Sequence, residues 1–142
     1  MKLIGRTTRC AAIYREEEFK KLGLTSTQHA FILHICKHPG ILQHELPKLL
    51  LLDKSNVTRQ LSALEDSGFA IRKPSEHNRK HICIFPTPKA YDTYPKIKAV
   101  LSKWTQLITE NFDEHELITL HTLMNKLYEN ALATTLENEG YI

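Results

Sequence analysis

The run Asp53-Lys54-Ser55-Asn56-Val57-Thr58-Arg59-Gln60-Leu61-Ser62-Ala63-Leu64-Glu65-Asp66-Ser67-Gly68 decides how this chain is read. Asp53 is a favoured N-cap, and Gly68 supplies the C-terminal stop of a helix. Val57, Leu61 and Leu64 recur at helical spacing and form the inward stripe. The opposite face carries Ser55, Asn56, Thr58, Arg59 and Ser62, short donors and acceptors with one long cation, a set suited to base edges and phosphates. A polar helix face by itself is ordinarily only solvated, so the assignment rests on the two elements next to it in the chain. Residues 69–74 and 80–86 read as two strands, with Ile82 and Ile84 on one face and Cys83 and Phe85 on the other. The turn between them is polar and basic at its far end, at Arg79. An antiparallel hairpin behind a helix-turn-helix is a wing, and an arginine at its tip can enter a minor groove.

Working outward, residues 3–22 are helical in pattern and stop at Gly23. Thr25 and Gln28 fit a capping box for a helix carrying Ile32, Leu33, Ile35 and Cys36, which ends at His38-Pro39-Gly40. A short helix over about residues 43–51 is expected to turn Leu46, Leu49 and Leu50 inward, with Pro47 early in it. Downstream, Thr87-Pro88 opens a helix expected to reach about Phe112, with Pro95 inside it producing a kink near Tyr91. Asp113 and Glu116 start a last helix in which Leu117, Leu120, Met124, Leu127, Ala131 and Thr134 repeat at steps of three and four. That seam is too short for a free coiled coil. It is expected to form a two-fold dimer interface with the first helix, in preference to the core of a single bundle. The fold class is therefore mainly α with a small β-hairpin wing. A winged helix-turn-helix region over 25–87 and dimerisation helices over 1–24 and 88–142 make one domain.

Charge agrees with this layout. From Lys54 to His81 six Lys or Arg face three acids, whereas the rest of the 142-residue chain carries thirteen of each, so this segment accounts for the whole net charge of +3. A neutral body with one basic segment is the footprint of a phosphate-binding module. There is no membrane-span pattern, no signal peptide and no nucleotide, hydrolase or zinc-protease motif, so a cytoplasmic protein without enzymatic activity or cofactor is expected. Cys10, Cys36 and Cys83 are odd in number and widely spaced, which argues against a disulfide framework.

At this point a family is recognisable. Leu22-Gly23-Leu24-Thr25 with Gln28, His38-Pro39-Gly40 with Gln43 and Glu45-Leu46, the Asp53–Arg59 run, Leu64-Glu65-Asp66-Ser67-Gly68-Phe69, and Asn78-Arg79-Lys80 before Thr87 resemble the MarR family of winged-helix transcriptional regulators. The resemblance spans nearly the whole chain. It implies a homodimer whose two heads read a pseudo-palindrome in double-stranded DNA, the helix after Asp53 entering the major groove and the wing the neighbouring minor groove. Carried over by position, Ser55, Asn56, Thr58, Arg59 and Gln60 are groove and phosphate candidates, with Arg79 and Lys80 at the wing. Lys54, Arg59, Arg72 and Lys73 are expected on phosphates. Three departures stand out. Asn78 and Lys80 occupy the wing positions where the family often has Asp and Arg, which leaves the wing to asparagine hydrogen bonds or to greater mobility. Leu42 replaces the usual Ser or Thr cap, and Pro86 is expected to end strand pairing early.

Many relatives release DNA when a small aromatic compound binds between the dimerisation helices and the head. By that resemblance Tyr14, His29, Phe31 and Trp104 are effector candidates, although each is also an ordinary core or boundary residue. His34 and His38 share a helix face but lack a third ligand, so no metal site is assigned. Cys10 has Arg6 and Arg9 nearby, but the role expected for it is that of a small buried residue. The expected function is that of a DNA-binding repressor acting as a homodimer. The rival is a winged-helix protein-interaction module that does not read DNA.

Overall fold

A computed structural model describes residues 2–139; residue 1 and residues 140–142, at the outer ends of the expected dimerisation segments, lie outside it. The elements are α1 (Lys2–Lys20), α2 (Gln28–Lys37), β1 (Ile41–Leu42), a 3-10 turn (Gln43–Glu45), α3 (Leu46–Leu50), α4 (Lys54–Asp66), β2 (Ala70–Pro74), β3 (Ile82–Pro86), α5 (Pro88–Ile108) and α6 (Glu114–Glu139). The chain is mainly helical, with a three-stranded antiparallel sheet in the order β1-β3-β2. The described residues form two compact units, 2–104 and 105–139.

The first unit is built around an apolar centre supplied by nearly every element. Phe19, Phe31, Ile32, Ile35, Leu46, Val57, Leu61, Leu64, Phe69, Ile84 and Ile97 are all essentially removed from water. Val57, Leu61 and Leu64 are the stripe read from α4, so the polar face of that helix is turned outward by burial of its opposite side. The expected reciprocal bonds are present, although α2 itself begins at Gln28 with Thr27, not Thr25, as its N-cap residue, and Thr27 makes no side-chain cap bond. Gln28 Oε1 accepts from Thr25 N–H at 3.0 Å and Thr25 Oγ1 accepts from Gln28 N–H at 3.4 Å. Asp113 and Glu116 make the same reciprocal pair at 2.8 and 3.0 Å. Leu42 has no acceptor to offer, so only half of a box survives there, with Leu42 N–H donating to Glu45 Oε2 at 3.0 Å.

Several expectations change. Residues 43–51 are not one helix but a 3-10 turn followed by the five residues of α3, with Pro47 in its first turn. So short a helix buries a narrow face: Leu46 is fully buried, while Leu49 points outward at 51% exposure. Ile41 and Leu42 form a third strand, paired with Ile84 and Cys83. β3 starts at Ile82 rather than residue 80, because Lys80 and His81 belong to the wing turn. Pairing does not end early, since Pro86 lies opposite Ala70. Thr87 N–H donates to Phe69 O at 3.1 Å, so Pro86, one step away, occupies a non-hydrogen-bonded pair, and β2 loses nothing by its missing N–H. α5 stops at Ile108, four residues short of Phe112, and remains one element across Pro95. Cys10 is exposed, not buried.

Candidate nucleic-acid interface

α4 is held at both ends and along its inner side. Asp53 Oδ1 accepts from Asn56 N–H at 2.8 Å and from the Ser55 hydroxyl at 2.5 Å, and these bonds, the hydroxyl's first, hold the Asp53 carboxyl below its ordinary value of 3.8. At the other end Lys89 Nζ donates to Ser67 O at 2.8 Å and lies 4.3 Å from the centre of the Phe69 ring. A cation on the last carbonyls complements the negative end of the helix dipole. Gln43 Nε2 donates to Thr58 Oγ1 at 3.3 Å, tying the turn before α3 to the exposed face of α4. Neither Lys89 nor Gln43 was assigned a role from the sequence, because each acts on a partner at least fifteen residues away.

Lys54, Ser55, Thr58 and Arg59 are exposed, while Asn56 and Gln60 are half-buried on the same helix. The Thr58 hydroxyl donates to Lys54 O at 2.9 Å. Asn56 Oδ1 accepts from Arg59 Nη2 at 3.2 Å and from Gln60 Nε2 at 3.4 Å. Arg72 is different in kind. Its guanidinium donates to Glu65 Oε2 at 2.6 and 2.9 Å and to Ser62 Oγ at 3.1 Å, and its backbone N–H donates to Glu65 Oε1 at 3.2 Å. Those bonds lower the Glu65 carboxyl below its ordinary value of 4.5, the side-chain bond contributing most. Arg72 therefore fastens β2 to α4. Lys73, on the same strand, is exposed with its ammonium 5.7 Å from the Phe85 ring centre.

The wing turn is closed by Ser75 N–H to His81 O and His81 N–H to Asn78 O, both 2.9 Å. Asn78 Oδ1 also accepts from Lys80 N–H at 3.0 Å. The neutral Asn78 amide thus holds the turn without an acid. Arg79 and Lys80 are exposed and, among the described residues, neither forms an ion pair.

The four aromatic effector candidates fall into three surroundings. Phe31 is fully buried in the core. The His29 ring stacks on Phe19 at 4.5 Å with Nδ1 2.6 Å from Ser26 O, and burial lowers its proton affinity. Tyr14 and Trp104 pair at 5.2 Å. A groove of about 270 Å³ lies elsewhere on these helices, lined by Leu33, His34 and Lys37 of α2 and Tyr94, Lys98 and Leu101 of α5. Among the described residues, no three His, Cys, Asp or Glu side chains are grouped to hold a metal, and no helix is long and apolar enough to cross a membrane.

A buried-backed helix with a polar outer face, capped at both ends and flanked by a basic hairpin, defines a winged helix-turn-helix protein. A family model described as MarR family matches residues 22–81. The HTH-type transcriptional regulator YybA of Bacillus subtilis is 30% identical over 127 residues, 89% of this chain and 85% of its own length. A MarR family regulator from Listeria monocytogenes, crystallised with a 26mer DNA, superposes with a TM-score of 0.90 at 29% identity, covering 98% of this chain and 93% of its own. A SlyA-like transcription regulator from the same species gives a TM-score of 0.92 at 28% identity, covering 99% and 93%. The chain belongs to the MarR family of DNA-binding transcriptional regulators.

Proposed function

We propose that the protein is a cytoplasmic homodimeric repressor that binds a pseudo-palindromic operator in double-stranded DNA. The observation that carries this is the joint exposure of the polar face of α4 and the unpaired cations of the wing on one rigidly fastened unit. Lys54, Arg59 and Lys73 neutralise phosphates, Ser55, Asn56, Thr58 and Gln60 face the major groove, and Arg79 with Lys80 enters the minor groove. Arg72, first expected on phosphate, is better used as the strut between β2 and α4. Dimerisation through the terminal helices, residues 1–24 and 88–142, is supported by the apolar side chains that α6 leaves exposed, among them Leu117, Leu120, Leu123, Met124 and Leu127. Two heads then address half-sites about one helical turn apart, roughly 34–36 Å.

The test is fluorescence anisotropy with the promoter DNA beside the protein's own gene, across a salt series. Tight, selective binding with a steep negative log–log salt slope is expected. Binding no better than to random duplex, there and across a genomic fragment library, overturns the assignment and favours a protein-interaction module.

Release of DNA by a small effector belongs to the same proposal. The groove between α2 and α5 combines apolar Leu33 and Leu101 with Tyr94 and the ammonium groups of Lys37 and Lys98. His34 in its wall has its proton affinity lowered, first by burial and then by His38 and Lys37. That chemistry suits a small aromatic acid. Calorimetric titration with benzoate-class acids should show binding that Lys98→Glu abolishes; equal binding by that variant would remove the groove from the mechanism.

A further inference from the structure

We propose that Asn56 is a specificity-determining residue that shows only amide donors to the DNA and so selects guanine at the base pair it faces. This rests on the proposed placement of α4 in the major groove. Arg59 approaches the Asn56 side chain at 3.2 Å, and a guanidinium has donors only, so the atom it meets must be the carbonyl oxygen. The Gln60 amide adds a second donor to the same oxygen at 3.4 Å. The acceptor of Asn56 is thereby occupied from its own helix, and the two N–H bonds of Nδ2 remain for another partner.

The neighbouring short side chains are not in that state. The Ser55 proton goes to Asp53, the Thr58 proton to Lys54 O, and the Ser62 proton to Thr58 O. Each hydroxyl has one proton and each is used. Among these four short side chains only Asn56 keeps uncommitted donors.

An asparagine with both ends free pairs with adenine by donating to N7 and accepting from N6. With its oxygen occupied, Asn56 would set its Nδ2 hydrogens against the N6 hydrogens of adenine. Guanine presents two adjacent acceptors, N7 and O6, in the major groove and matches a donor-only group. Cytosine presents a donor there and is rejected, while thymine offers the single acceptor O4 against the two of guanine and so satisfies only one of the two Nδ2 hydrogens.

The experiment is selection from a randomised duplex pool by the full-length wild type, by Asn56→Ala and by Asn56→Asp. The Asn56 backbone N–H, not its side chain, satisfies the Asp53 cap, so both variants keep the helix start. The expected result is one column per half-site that is guanine for the wild type, unbiased for Asn56→Ala, and cytosine for the acceptor-only Asn56→Asp. Replacing that guanine with 7-deazaguanine should weaken the wild type by about fivefold or more and leave Asn56→Ala unchanged. Any other base in the Asn56-dependent column, guanine retained by Asn56→Asp, or the absence of such a column overturns the inference alone. Failure of the wild type to select any sequence overturns it together with the DNA-reading assignment.

Discussion

Arg59 and Arg72 carry the same charge thirteen residues apart, yet their surroundings give them different work. Arg59 is exposed and holds a single neutral oxygen, whereas Arg72 is engaged by Glu65 and Ser62. Arg59→Ala should lower the magnitude of the log–log salt slope of DNA binding by about 0.9 per protomer, the effect of one lost phosphate contact. Arg72→Ala should weaken binding while leaving the slope in place, because it loosens the mounting of the wing and removes no counterion-releasing contact. Equal slopes for both variants would return Arg72 to the phosphate set. Asp53 permits a pH test. Its carboxyl is lowered in the folded state, so its stabilising contribution is present above the ordinary value of 3.8 and is lost as pH falls through the folded value. Asp53→Ala should reduce the urea midpoint at pH 7, and the gap from wild type should begin to narrow as pH falls below 3.8; a gap that does not change with pH in acid would rule out the charged cap as its source.

At the scale of elements, two glycines separate conformational strain from crowding. Gly68, at φ +78°, turns the chain from α4 into the wing, and a Cβ there would meet nothing within 4 Å. Gly40, at φ +85°, leads into β1, and a Cβ there would lie 3.3 Å from two carbons of the Phe85 ring. Gly68→Ala should cost about 1 kcal/mol through its left-handed backbone alone, and Gly40→Ala more, because the Phe85 ring must also shift. Chemical denaturation of both variants ranks them, and a larger loss at Gly68 would contradict this account. The long elements and their caps were legible because the deciding residues lie three or four apart: Asp53 with Asn56, Thr25 with Gln28, Asp113 with Glu116. β1 was not legible, because two residues carry no periodicity and its pairing is with β3 about forty residues later. Leu49 was misplaced for a related reason: its side depends on where the 3-10 turn hands over to α3.

For the whole molecule, the apolar arc of α6 is the feature a single chain leaves unexplained. Leu120, Met124 and Leu127 are 39, 42 and 36% exposed. In the proposed dimer a second copy of the chain covers them, so the double variant Leu120→Glu/Leu127→Glu should sediment as a monomer and lose high-affinity operator binding while keeping its helical circular dichroism. A variant that stays dimeric would move the interface off α6. By itself the sequence determined where the long helices form, which side of α4 faces the core, and that a hairpin follows it; these depend on neighbours within a turn or two and on burial of apolar stripes. It also nominated the candidate interface residues, through the basic segment and the Asp53–Arg59 run. Only the tertiary structure decided which of those side chains are free. Arg72 is bound by Glu65 seven residues back, Thr58 is met by Gln43, and the end of α4 is held by Lys89. Donor and acceptor directions across elements arise when the core brings distant backbone together, and no local pattern in the chain encodes them.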